Sequence, residues 1–165
     1  MPKLMIQQLA AEWITPERFK PYGQVISASA DDKSYDEEDA QLNLKNGIPR
    51  FYIMRLQQNG LKFHQITRHV QCTQCLGSLE GKDWFIAVCP PSKTDEPILT
   101  DLAAFHIPGN CFIKLDLGTW HAGPYFTHDT IDFYNLELAD TNFVDHLTHD
   151  FAKSHQLEFE IVGIS

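Results

Sequence analysis

Two histidines, His69 and His121, carry the side chains best suited to moving protons near neutral pH. His69 lies in the stretch Thr67–Gly81, which reads TRHVQCTQCLGSLEG and also holds Thr67 and Gln74. His121 closes a second stretch, Asp116-Leu117-Gly118-Thr119-Trp120-His121. On a strand, Thr67 and His69 point to one face and Arg68 to the other. His64 has the opposite parity and is set aside. Taken singly, either histidine is adequately explained as a hydrogen-bonded residue of a β core. Their pairing, with Gln74 between them in the chain, points to a site. The other histidines, His106, His128, His146, His149 and His155, fall in loop or tail contexts and read as surface.

The elements that must hold these residues are mostly strands. Thr15 suits the N-cap of a short helix, with Pro16 at its first position and Glu17 in its first turn. Gly23 ends that helix, and Gln24–Ser27 reads as a strand. Asn43–Leu56 reads as two strand pieces around the turn dipeptide Asn46-Gly47, with Arg50 in the second piece. Leu61–Gln74 alternates as strands, and Trp84–Cys89 (WFIAVC) is a buried one. Pro90–Pro97 is a surface loop. Cys111–Leu117 and Ile131–Leu138 (IDFYNLEL) are further strands. Asn142–His155 suggests a short helix, and Leu157–Ile164 a final strand. Many short strands between Gly and Pro turns predict a sandwich or barrel, built as a single domain over residues 1–165.

Composition narrows the function. The 165 residues carry a formal net charge of -9, which argues against nucleic acid because phosphate binding needs clustered Lys and Arg. Six acidic residues fall within Ala30–Ala40, a solvated loop without the spacing of a calcium site. No apolar run reaches the roughly 20 residues that span a bilayer. Met1–Ile6 does not read as a signal peptide, so the cytoplasm is the expected location. Cys72, Cys75, Cys89 and Cys111 are expected to be reduced; a lone Cys-x-x-Cys in a strand-like run is a poor zinc or redox pair.

These stretches are laid out like the two motifs of the cupins, where paired histidines and a Glu from the first motif meet a histidine from the second inside a barrel. Thr67 and His69 fall on the paired positions, Gln74 on the Glu and His121 on the second-motif His. Within that superfamily the chain resembles the ureidoglycolate lyase family. The carriers are Glu17-Arg18-Phe19-Lys20-Pro21-Tyr22-Gly23, Asn46-Gly47 with Arg50, Thr67-Arg68-His69 with Thr73-Gln74 and Gly81, and Trp120-His121 followed by Asp132-Phe133. Together they span most of residues 6 to 138. The chain departs from the family at Thr67, where relatives carry Glu, at Val70 and Ala122, and at Leu138, where an Arg is common.

The resemblance implies an all-β, double-stranded β-helix or jelly-roll barrel with a short N-terminal helix. It implies an elimination that converts ureidoglycolate to glyoxylate and urea in allantoin and purine nitrogen salvage, carried out by a homodimer. His69 and His121 are then the catalytic base and acid, in an order the residues leave open. Gln74, Arg50, Thr67 and Asp132 are the substrate-binding candidates: Arg50 as carboxylate partner, with Lys114 behind it, and Asp132 orienting a histidine. No metal or other cofactor is expected, because two histidines, a neutral Gln and Thr67 make a poor ligand set. The runner-up is a catalytically divergent or metal-binding cupin that holds a small carboxylate ligand.

Overall fold

Alternating apolar and polar residues drive most of the chain into strands, which take 47% of residues against 10% for helix, so the protein is mainly β. The computed structural model describes residues 3–163. The N-terminal third contains β1 (Met5–Trp13), α1 (Pro16–Phe19), β2 (Gly23–Ser27), β3 (Pro49–Gln57) and β4 (Lys62–Phe63). The middle contains β5 (Gln65–Arg68), β6 (Gln74–Ser78), β7 (Trp84–Cys89), β8 (Ala103–Ile107), β9 (Cys111–Leu115) and β10 (Trp120–Tyr125). Then come β11 (Thr130–Leu138), α2 (Thr141–Val144), β12 (Leu147–Asp150), α3 (Phe151–His155) and β13 (Leu157–Gly163).

Two curled sheets form a half-barrel of the β cupin kind. The larger has the order β12-β5-β10-β7-β8-β1-β13-β4, and the smaller β2-β9-β6-β11-β3. Strand β7 explains its own composition. Trp84, Ile86 and Val88 face a core shared with Leu76, Ile113, Ile131 and Phe133. Phe85, Ala87 and Cys89 face a second core with Phe63, Ile66, Trp120, Phe151 and Phe159. A strand covered on both faces has no polar parity, hence the unbroken apolar run.

The N-terminal helix forms as its signals predict. Thr15 Oγ1 accepts from the Arg18 amide at 3.2 Å, and Pro16 opens the helix. The acidic segment has neither helix nor strand, but it is tied down. Gln24 Nε2 donates to the carbonyls of Glu37 and Asp39, and Gln24 Oε1 accepts from the Gln41 amide.

Elsewhere local pattern yields to tertiary contact. The turn at Asn46-Gly47 is present, yet Asn43 is not in a strand. Its backbone instead docks on Thr73, accepting from the Thr73 amide and donating to Thr73 Oγ1. Asn142–His155 is not one helix but α2, β12 and α3 in succession. The final strand forms over Leu157–Gly163, and Ile164 lies outside the described residues. His69 is not on a strand, because β5 ends at Arg68. His106 and His128 are not simple surface residues. Both bond to Asp83, and the His106 ring stacks between Trp13 and Phe85.

Candidate active site

The inward parity of β11 changes character along its length. Ile131 and Phe133 are fully buried in the core, and the same face continues as Asn135 and Glu137. A strand that turns from apolar to polar while still facing inward marks the floor of a cavity. That cavity holds about 190 Å³, below the roughly 300–1,000 Å³ typical of drug-sized ligands, so it fits a small molecule. Tyr52, Met54 and Leu56 of β3 line one side, Gln74 and Leu76 of β6 the next, and His121, Gly123 and Pro124 of β10 the far wall. His69 follows β5, and His146 comes from the turn between α2 and β12.

The imidazoles cluster. The His69 and His121 ring centroids lie 5.0 Å apart, and those of His69 and His146 lie 5.7 Å apart. His69 is held from two directions. Its Nδ1 donates to the Asp145 backbone carbonyl at 2.6 Å, and its own carbonyl accepts from the Gly118 amide at 2.7 Å. A carbonyl can only accept, so Nδ1 carries the proton and the other ring nitrogen, Nε2, is left basic. The Asp145 carboxylate accepts from the Val70 and Gln71 amides, fixing the chain just past His69. His121 has a longer contact, Nδ1 to the Thr119 carbonyl at 3.5 Å.

Burial sets the protonation states. It pushes the His69 pKa down, partly opposed by the bond to Asp145. Burial, with the neighbouring His69 adding to it, pushes His121 down to about 3. At neutral pH both rings are therefore uncharged.

Opposite them runs a chain of polar groups. Gln74 Nε2 donates to Asn135 Oδ1 at 2.9 Å, Asn135 Nδ2 to the Tyr52 hydroxyl at 3.0 Å, and that hydroxyl to Glu137 Oε1 at 3.3 Å. Gln74 Oε1 is buried and has no donor among the described residues. Glu137 is only 2% exposed, and burial raises its pKa.

The sequence candidates divide in the structure. His69, His121 and Gln74 share this cavity. Arg50 sits exposed at its rim, in register with Glu137 and with its guanidinium over the Tyr52 ring at 3.7 Å. Thr67 does not line the cavity. It is cross-strand from His121, but β12 pairs along β5 and Thr148 Oγ1 bonds Thr67 Oγ1 at 2.8 Å. Asp132 has outward parity and is held by Arg55 through two bonds, so it orients no histidine. Lys114 is buried against Asp116 and is thereby removed as a carboxylate partner. Leu138 packs towards the Gly47 turn, away from the cavity.

His146, read from the sequence as surface, is indeed exposed, yet it also lines the site. Tyr52, Asn135 and Glu137 were not anticipated either. The signal for the last two was present in IDFYNLEL, where Asn and Glu continue the parity of Ile131 and Phe133. Among the described residues, no group of three or more His, Cys, Asp or Glu side chains is arranged to hold a metal ion.

Compared with known protein families, residues 6–157 match the one described as ureidoglycolate lyase. The chain belongs to the ureidoglycolate lyase family. No match is found among the curated proteins. The family match runs past β11 through α2, β12 and α3, so it covers the segment that supplies Asp145 and His146 as well as both cupin-like stretches.

Proposed function

We propose that this member of the ureidoglycolate lyase family converts ureidoglycolate to glyoxylate and urea, serving the recovery of nitrogen from allantoin and other purine products. The observation that carries this reading is His69: its Nδ1 is committed to the Asp145 carbonyl, leaving an uncharged, basic Nε2 beside His121 in a cavity of small-molecule size. An elimination of this kind begins with removal of the hydroxyl proton from the carbon that bears the ureido nitrogen. His69 is the base. His121, with its pKa pushed down to about 3, is uncharged at neutral pH and serves to position the hydroxyl or relay the proton.

The carboxamides at the other end suit the ureido group, and Arg50 at the rim suits the carboxylate. The test is urea release from ureidoglycolate by the purified protein. Loss of at least a hundredfold in kcat is expected in His69→Gln and His121→Ala; turnover unchanged in both would remove the reading.

Thr67 favours a second reading. The family resemblance implies a carboxylate there, whereas this hydroxyl is tied to Thr148, which would suit a divergent cupin that binds a small carboxylate without turning it over. Glyoxylate binding without urea release would establish that alternative.

Edge strand β3 is nine residues long and leaves Phe51 64% and Ile53 55% exposed, which supports sheet-to-sheet pairing in a homodimer. Sedimentation of the purified protein tests it. Four free cysteines, three of them buried, accord with a reducing cytoplasm. Among the described residues, no helix is long and apolar enough to cross a membrane.

A further inference from the structure

An elimination needs an acid as well as a base. The electron pair of the breaking C–N bond must be met by a proton at nitrogen as the hydroxyl collapses to a carbonyl. Neither histidine starts with a proton to spare, since both rings are uncharged near neutrality. Thr67 has no acid to offer. Another strand supplies one. Glu137 projects from β11 into the same cavity as His69 and His121, and it is 2% exposed. Among the described residues it has no ion-pair partner. Its hydrogen bonds are long, 3.3 Å from the Tyr52 hydroxyl and 3.5 Å from Gln74 Nε2. Burial so weakly compensated shifts a carboxyl group towards its neutral form, which is the form that donates.

We propose that Glu137 is the general acid that protonates the departing urea nitrogen. The proposal rests on the lyase reading above. His69 Nε2 takes the hydroxyl proton and the O–H pair becomes the second bond of the glyoxylate carbonyl. The C–N bond breaks with its pair on nitrogen, and nitrogen receives the Glu137 proton. Urea and glyoxylate leave; imidazolium and carboxylate then return to their starting forms by exchanging one proton through solvent. No oxidant or further reactant is needed.

The direction of the pKa shifts agrees. Burial lowers the histidines and raises Glu137, so each shift favours the form its role requires, the uncharged base and the protonated acid. The groups that face Glu137 are Tyr52 and Arg50 from β3, Gln74 from β6, Asn135 from its own strand and His146 from the α2–β12 turn. Arg50, Tyr52, Asn135 and His146 all act to lower its pKa, but burial outweighs them.

The experiment is the pH profile of urea release. The wild type should be bell-shaped, with an acid limb from His69 and an alkaline limb from Glu137. Glu137→Gln should lose at least a hundredfold in kcat and lose the alkaline limb while keeping the acid one. Tyr52→Phe removes a donor that favours the anion, so it should move the alkaline limb to higher pH, and it carries the test if Glu137→Gln does not fold. An alkaline limb that stays in Glu137→Gln, or one unmoved in Tyr52→Phe, overturns the proposal alone. Absence of urea release by the wild type removes the lyase reading and the proposal together.

Discussion

The Nδ1 of His69 donates to the backbone carbonyl of Asp145 at 2.6 Å, across 76 positions of sequence. The same residue's carboxylate accepts from the Val70 and Gln71 amides at 2.9 and 2.8 Å. Asp145 thus fixes both the tautomer of His69 and the chain that carries it. In Asp145→Ala the two amides lose their acceptor in a loop where Val70 and Gln71 are exposed, so the cost falls at the low end of about 1–3 kcal/mol. The expected result is a lower melting temperature together with a fall in kcat of at least tenfold. Asp145→Asn keeps one acceptor oxygen and should fall between. Thermal denaturation and steady-state kinetics on the same preparations check it; a stability loss with kcat untouched would separate the clamp from the chemistry.

His121 makes stability depend on pH. Its pKa is about 3 in the folded chain, against an ordinary value of 6.5, because burial and His69 disfavour the charged ring. The unfolded chain therefore binds more protons between those two values. The contribution is fully present above about pH 6.5 and is lost as pH falls towards 3, at about 1.4 kcal/mol per unit of depression. His69, also depressed, acts in the same direction. Urea denaturation at pH 7 and pH 5 should show the folded state weakening on acidification. His121→Phe should flatten that dependence, and a slope unchanged in the variant would show that His121 titrates normally.

Most of the fold, and part of the site, could be read from residues. The helix start at Thr15-Pro16 and the buried run Trp84–Cys89 express local chemistry, so their patterns held. Asn43 shows where such pattern stops. A turn dipeptide fixes a reversal, but whether the incoming chain pairs or docks depends on Thr73, thirty residues away. His69, Gln74 and His121 met because cupin-like spacing encodes strand register. His146 had no such signal, since its place follows from how a short helix and β12 pack on the edge of β5. Thr67 had the expected register beside His121 but not the expected exposure, because β12 covers it. Asp132 was misplaced by a single step of parity, which separates Arg55 on the outside from the cavity on the inside.

Gly118 couples backbone geometry to the site. Its φ is +82°, a conformation that costs an ordinary residue about 1–2 kcal/mol, and an added Cβ would lie 3.3 Å from Pro91 Cβ. Its amide also donates to the His69 carbonyl at 2.7 Å. Gly118→Ala should destabilise by about that cost and shift His69, lowering kcat more than a surface Gly→Ala change such as that at Gly60, which has open space around it. Comparing the two variants by denaturation and turnover separates general strain from displacement of His69.

Arg50 offers the cleanest division between binding and chemistry. It stands at the rim, exposed, with its guanidinium 3.7 Å from the centre of the Tyr52 ring. A cation held there can meet a substrate carboxylate without touching the atoms that exchange protons. Charge-assisted hydrogen bonds contribute about 1.5–3 kcal/mol where water is excluded, and less at an open rim. Arg50→Ala is therefore expected to raise KM for ureidoglycolate, and the inhibition constant of glyoxylate, about tenfold, with kcat within a factor of a few. Arg50→Lys keeps the charge but not the planar stack on Tyr52, so it should recover only part of the affinity. Arg50 also acts to lower the pKa of Glu137. Its removal should move the alkaline limb of the pH profile upward, by an amount that shrinks as salt is added, because an exposed charge is screened. An affinity loss independent of ionic strength would mean that Arg50 acts by packing on Tyr52 and not by charge.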